Sequence, residues 1–335
     1  MKRLYIVSTI VIFASAPAFA AAEKYNSTPA EQSILRDSYS ARFNHAVASL
    51  DHYRGDTSSL EAARAELESV LKEKPRYAPA YRELARYAIM SGHINYKNFQ
   101  PGSLEAAESS IKKAIEISPN YAEAYVLLGH VYGLMNRHQD AVAALEQAKK
   151  LGTKDPWLQN NWADLLIDEG KYEEAAQLYR QVVDSKTSNK KAMGSALEGL
   201  IKYYKAVGKL DQADEIYRKQ LEFEPDAAWG YGNYAQFLLC QKDDYEQSIK
   251  RSRQALSIMN YGAGRYMLAA ALYRKWAQSV ISGVPDSGKP YFTEAQTLYP
   301  DLHEIVTNNK NCSPLNHIKE ALALSNKGAP PELRR

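Results

Sequence analysis

The sequence repeats itself with a period of 34 residues. Ala141 is matched 34 residues later by Ala175, and Asn136 is matched in the same way by Gly170. Alanine at a helix contact lets a second helix come close, and asparagine and glycine tolerate the left-handed backbone that ends a helix. A fixed period of this length, with small and turn residues in register, predicts a solenoid of stacked helix hairpins.

One repeat shows how each hairpin is expected to form. Tyr125, Leu128 and Tyr132 fall at three- and four-residue spacing, which places them on one stripe of a helix. Gly129 lies inside this stripe, where the absence of a side chain favours close packing of the second helix. The second helix would begin after Asn136.

The spacing within residues 125–132, followed by Ala141-x3-Leu145, resembles the tetratricopeptide repeat, with tyrosine for the usual tryptophan and leucine for the usual phenylalanine. The pattern recurs along most of the chain. The resemblance implies an all-α fold, a right-handed superhelix (α-solenoid) of helix hairpins, whose inner groove holds a segment of another protein. It implies no reaction.

The repeats also set the expected domain boundaries. We predict a capping helix pair at 30–77, an array of hairpins at 78–301, and capping helices with a tail at 302–335. Caps are needed at both ends because a terminal repeat has no neighbour to bury its apolar face.

An insertion interrupts the array. Residues 59–63 and 103–107 both read Ser-Leu-Glu-Ala-Ala, but they are 44 residues apart, and the excess falls in an inserted loop at 93–102. Tyr96 and Phe99 are aromatic residues in this loop. Exposed aromatic residues often anchor partners, and the alternative is that they fold back over the neighbouring hairpin.

The first residues have the pattern of a secretory signal. A basic start, an apolar run at 4–15 and a small-x-small site at 18–20 predict a signal peptide at 1–20, followed by a flexible leader at 21–29. The apolar run is short for a bilayer span, and no cysteine follows the cleavage point. We therefore expect an exported, periplasmic protein, soluble after cleavage near Ala20.

The two cysteines, Cys240 and Cys312, would then lie in an oxidising compartment. Either they form a disulfide that ties the C-terminal cap to a late repeat, or they are two thiols that never meet. Their spacing does not choose between these alternatives.

Composition and motifs argue against catalysis. The net charge of +3 is not that of a nucleic-acid-binding surface. The histidines have no spacing suited to a metal, and no cofactor motif is found. Gly283 to Lys289 resembles a phosphate-binding loop, but Pro290 stands where serine or threonine would hold Mg²⁺. We interpret this stretch as a link between helices and predict that the protein is not an enzyme.

A binding surface is the better candidate. In the family that the sequence resembles, the first helix of each pair lines the inner groove. The side chains predicted to face this groove are Trp157, Asn160, Asn161, Asp164, Glu198, Lys202, Trp229, Asn233, Gln236 and Arg274. Side-chain amides can hydrogen-bond the backbone of an extended peptide, and the tryptophans would be apolar anchors. The alternative is an ordinary solvated helix face.

The sequence thus predicts a non-catalytic scaffold that binds a partner protein or extended peptide. A second hypothesis is a structural spacer or assembly factor in a cell-envelope complex, using its convex face or the inserted loop. A small hydrolase is the third. The sequence names neither the partner nor the oligomeric state.

Overall fold

The computed structural model describes residues 39–53, 55–95, 98–308 and 312–328. The predicted signal peptide and leader, Tyr96 and the last seven residues lie outside this part of the chain. Two compact units are present, Met1–Tyr203 and Tyr204–Arg335. The boundary between them lies inside the predicted array.

Unit 1 is built from helices and one short β-hairpin. Its elements are α1 (Tyr39–His52), α2 (Thr57–Glu73), α3 (Ala78–Gly92), β1 (His93–Asn95), β2 (Asn98–Phe99), α4 (Ser103–Ile117), α5 (Ala122–Leu134), α6 (His138–Lys150), α7 (Trp157–Asp168), α8 (Tyr172–Asp184) and α9 (Lys190–Ala206), whose last turn belongs to unit 2. The pairs α1/α2, α3/α4, α5/α6 and α7/α8 pack as hairpins.

The repeat residues act as predicted in the α5/α6 hairpin. A Cβ on Gly129 would lie 2.5 Å from the Leu145 side chain, so only glycine allows this approach of the two helices. Asn136 and Gly170 end their helices with φ of 58° and 77°. Ala141 is completely buried.

The insertion forms an antiparallel hairpin between α3 and α4. His93 pairs with Phe99, and Asn95 pairs with Asn98. Phe99 is half-buried, packs against the apolar core of α3 to α7, and lies 5.6 Å from the His93 ring. Of the two alternatives for this residue, the structure therefore shows the fold-back over the neighbouring helices, while the Ile94 side chain is 58% exposed.

Unit 2 continues the helix hairpins. Its elements are α10 (Leu210–Phe223), α11 (Ala228–Lys242), α12 (Tyr245–Ile258), α13 (Gly262–Ile281), α14 (Pro285–Leu298), α15 (Leu302–Asn308), a 3₁₀ turn (Ser313–Leu315) and α16 (Asn316–Gly328). The pairs α11/α12 and α13/α14 pack as hairpins, and α16 packs along α13. The fold is an all-α solenoid of helix hairpins, as predicted.

The glycine-rich stretch is part of the α13/α14 hairpin. We expected a link between helices over 283–289, but helix α14 already begins at Pro285, because proline suits the first helical turn. A Cβ on Gly288 would lie 1.9 Å from the Ser279 hydroxyl, so this glycine serves close helix packing. Across the described residues, no helix combines the length and apolarity needed to cross a membrane.

Candidate partner-binding face

Three of the predicted groove residues in unit 1 are buried. Trp157 is 3% exposed, Asn160 0% and Asn161 3%. The Asn160 amide donates to the Ala192 carbonyl of α9 at 2.9 Å, and the Asn161 amide donates to the Val126 carbonyl of α5 at 3.1 Å. We expected an open polar face here, but the structure instead uses these amides to join neighbouring helices.

Unit 1 also contains a buried charge network, built on α3 and α1. Arg86 is 0% exposed, and its guanidinium bonds Asp51 of α1 at 2.6 Å and Glu83 at 2.5 Å. Arg82, 4% exposed, bonds the other Glu83 oxygen at 2.5 Å. Burial acts to raise the pKa of Glu83, but Arg86 and Arg82 outweigh it and hold that pKa below its ordinary value.

Two further carboxyls face the same arginines. Burial raises the pKa of Asp51, and the charges of Arg86 in α3 and Lys191 in α9 partly offset this effect. Burial likewise raises the pKa of Asp155, and Arg82 partly offsets it. Charged groups from α1, α3 and α9 thus act on one another within unit 1.

Other predicted residues of unit 1 remain half-exposed. Asp164 accepts a hydrogen bond from the Tyr179 hydroxyl at 2.6 Å. Burial, reinforced by Asp164, raises the pKa of Tyr179 far above its usual value, so this phenol stays a donor. Glu198 and Lys202 form an ion pair at 3.0 Å, with about 29% and 28% of their side chains exposed.

Unit 2 presents an open face on α11. Trp229 is 57% exposed, and Asn233 and Gln236 are exposed four and seven residues further on. This spacing places all three on one stripe, with the amides about 6 and 10 Å from Trp229 along the helix axis. The Trp229 ring packs against Tyr261, with ring centroids 4.5 Å apart. A Cβ on Gly232 would lie 2.3 Å from the Tyr261 hydroxyl, so glycine makes room for this ring.

Two more large apolar side chains are exposed just before Tyr261. Ile258 is 41% exposed and Met259 39%. Exposed apolar side chains that lie singly need no explanation, but a group of them next to an exposed indole is typical of an interaction site.

Arg274 does not lie on this open face. It is 3% exposed, and its guanidinium bonds Asp243 at 2.7 Å and lies 5.0 Å from the centre of the Tyr245 ring. We predicted a groove residue, but its side chain instead ties α13 to the turn after α11. Asp243 ends α11 with a left-handed backbone, φ 52°.

Cys240 and Cys312 form a disulfide in the structure. Of the two alternatives for the cysteines, the structure shows the disulfide, which ties the C-terminal segment to α11. Leu315, Ile318 and Ala321 of this segment are buried in the same apolar cluster as residues of α13. Among the described residues, no group of three or more His, Cys, Asp or Glu could hold a metal ion.

The hairpins and the buried small residues define a class of protein, the α-helical repeat scaffold. Models of the tetratricopeptide repeat match residues 111–143 and 158–189. These two stretches are tetratricopeptide repeats. Such repeats form scaffolds for protein–protein interaction, and proteins built from them are generally non-catalytic.

Solved structures share the fold at low sequence identity. In the crystal structure of the APC/C hetero-tetramer Cut9-Hcn1, the match has 16% identity and a TM-score of 0.53, and it covers 72% of this chain and 45% of that chain. For a thermophilic tetratricopeptide repeat protein of Thermus thermophilus, TTC0263, identity is 20%, the TM-score is 0.50, and the match covers 60% of this chain and 100% of that chain. The chain thus spans less than half of the Cut9-Hcn1 chain. No curated protein matches the sequence significantly.

Proposed function

We propose that this protein is an exported, non-catalytic scaffold that binds an extended segment of a partner protein on α11. The observation that carries the proposal is the exposed line of Trp229, Asn233 and Gln236. In unit 1, the amides at the predicted groove positions bond the protein's own backbone, whereas these two amides face solvent.

The indole and the two amides make different kinds of contact with the bound segment. The indole of Trp229, more than half exposed, loses apolar surface when a partner covers it, and such anchors typically cost about 2 kcal/mol or more when truncated. Each amide has a donor and an acceptor, which can pair with one peptide unit of an extended chain. The two amides fix the direction and register of the bound segment, and the side chains of that segment are recognised only weakly.

Export fits the covalent chemistry of the chain. Disulfides such as Cys240–Cys312 persist in oxidising compartments, among them the bacterial periplasm. The protein would be cleaved near Ala20 and act as a soluble periplasmic protein. The N-terminal sequence of the protein isolated from its host tests this point, and a chain that still begins at Met1 would contradict it.

Site-directed photocrosslinking in intact cells tests the binding face. A photoreactive residue at Gln236 should capture a partner, and the added substitution Trp229→Ala should abolish that crosslinked band. Lys250 is the matched control, since it is an exposed residue on the other helix of the same hairpin. Equal capture from Lys250, or a band that survives Trp229→Ala, would contradict the proposal.

One observation favours a second candidate function, in which the contact surface lies on α3 and α4. An open groove of about 710 Å³ runs between α3 and α4, lined by Tyr81 and Leu84 on one side and by Glu105 and Lys112 on the other. A spacer or assembly factor would contact its complex here. Capture from a photoreactive residue at Ser109, with none from Gln236, would support this function over the first.

A further inference from the structure

The inner face of unit 2 is open on one helix and covered on the next. With the 34-residue period, Asn233 and Gln236 of α11 correspond to Met267 and Ala270 of α13. The two α11 side chains are exposed, whereas Met267 is 8% exposed and Ala270 0%. Another element therefore covers on α13 the face that α11 presents to solvent.

The C-terminal segment 312–325 is this cover. Helix α16 packs along α13, and the 3₁₀ turn before it contacts both α11 and α13. Ile318 and Ala321 are each 0% exposed and belong to the same apolar cluster as Met267 and Ala270. Lys319 and Glu320, between them, face solvent. The segment thus docks by its apolar stripe, as a partner's amphipathic helix docks in a groove.

The disulfide lies at the border between the open and the covered face. Cys240 follows Gln236 by four residues and shares its stripe on α11. Its bond to Cys312 holds the two Cα atoms 4.5 Å apart, at the start of the C-terminal segment. This bond keeps the segment at a high effective concentration over α13, and without it the segment depends on a few apolar contacts.

We propose that segment 312–325 is a redox-controlled strap over the inner face of unit 2. A dithiol reductant donates two electrons and two protons, the Cys240–Cys312 bond breaks to give two thiols, and the reductant becomes a disulfide. The released strap uncovers Met267 and Ala270 and extends the binding face from α11 onto α13. That the larger face binds the partner rests on the proposed function, but release of the strap itself needs no partner.

Hydrogen exchange read by mass spectrometry on the full chain tests the strap. Adding dithiothreitol should speed amide exchange in 315–325 at least tenfold and leave α11 and α12 unchanged. The variant with Cys240→Ser and Cys312→Ser should exchange fast in 315–325 both with and without dithiothreitol. Unchanged exchange in 315–325 overturns the proposal, and so does a joint loss of protection in α11, α12 and α16, which would make the bond a general staple of the fold.

A second variant separates the disulfide from the apolar contact. Ile318→Ser weakens the docking of α16 while both cysteines remain. In its oxidised form, exchange in 315–325 should stay at least threefold slower than in the same variant after dithiothreitol. Equal rates would show that the bond does not hold the strap, and the proposal would fail. Because no partner takes part, this failure is distinct from a failure of the crosslink at Gln236.

Discussion

Removing the central arginine of the unit 1 network should destabilise that unit strongly. Arg86→Met keeps most of the aliphatic stem but deletes the charge that Glu83 and Asp51 share. Losing one partner of a buried ion pair typically costs about 3–5 kcal/mol. Arg82 still bonds Glu83, so we expect the lower end of this range, about 3 kcal/mol, a change in the unfolding equilibrium of more than about a hundredfold.

The pH dependence follows from the sign of the pKa shift. The pKa of Glu83 in the folded protein lies below its ordinary value of 4.5, so its contribution to stability is present above pH 4.5 and is lost as the pH falls through the folded pKa. Arg86→Met removes much of this contribution. The difference in stability between the two proteins should therefore be largest above pH 4.5 and shrink on acidification.

Pulsed hydrogen exchange against urea concentration, read on peptides of α3 and α7, measures the stability of unit 1 separately from unit 2. Arg64→Met is the matched control, since Arg64 pairs with Glu68 on the surface, with 47% and 49% of the side chains exposed. Such a pair contributes about 0–1 kcal/mol. If Arg86→Met lowers the unfolding free energy of unit 1 no more than Arg64→Met does, the buried network does not stabilise that unit.

Five further substitutions test a buried carboxyl, the helix packing and the two faces. Burial raises the pKa of Asp155 in the folded protein above its ordinary value of 3.8. The contribution of Asp155 to stability is therefore present below pH 3.8 and is lost as the pH rises through the folded pKa. Asp155→Asn should remove this pH dependence from the unfolding free energy measured in urea. Gly129→Ala, whose Cβ would lie 2.5 Å from Leu145, should cost about 1–3 kcal/mol of unfolding free energy. Gly133→Ala in the same helix would bring its Cβ only to an ordinary 3.5 Å contact with Leu165, so it should raise the unfolding free energy by up to about 1 kcal/mol. If Gly133→Ala destabilised the protein more than Gly129→Ala, the packing argument would be refuted. Asn161→Ala should cost about 0.5–1.5 kcal/mol because it removes the buried hydrogen bond from the Asn161 amide to the Val126 carbonyl. Asn233→Ala should change stability by less than about 0.5 kcal/mol and weaken the crosslink at Gln236. Equal effects on stability would contradict the assignment.

The hairpins were predictable because their determinants are local. Gly129 and Asn136 specify a close helix contact and a left-handed turn within a few residues, and the 34-residue period repeats that information. The closure of the unit 1 inner face is not local. It depends on contacts between helices far apart in sequence, such as those of Asn160 with Ala192 and of Asn161 with Val126.

For this reason Asn161 and Asn233, which occupy matching places in their repeats, have opposite environments. Asn161 is 3% exposed and bonds α5, while Asn233 faces solvent. Periodicity assigns a residue to a face of its helix, but it does not show whether another part of the chain covers that face. The same limit applies to Arg274 and to the strap that begins at Cys312.

The central claim is that α11 carries an open face, whereas the corresponding face of unit 1 is closed. Oxidative footprinting of the tryptophans, with and without the partner captured at Gln236, tests it directly. Trp229, 57% exposed, should oxidise readily alone and be protected by the partner, while Trp157, 3% exposed, should resist oxidation in both samples. Ready oxidation of Trp157, or equal oxidation of Trp229 with and without the partner, would contradict it.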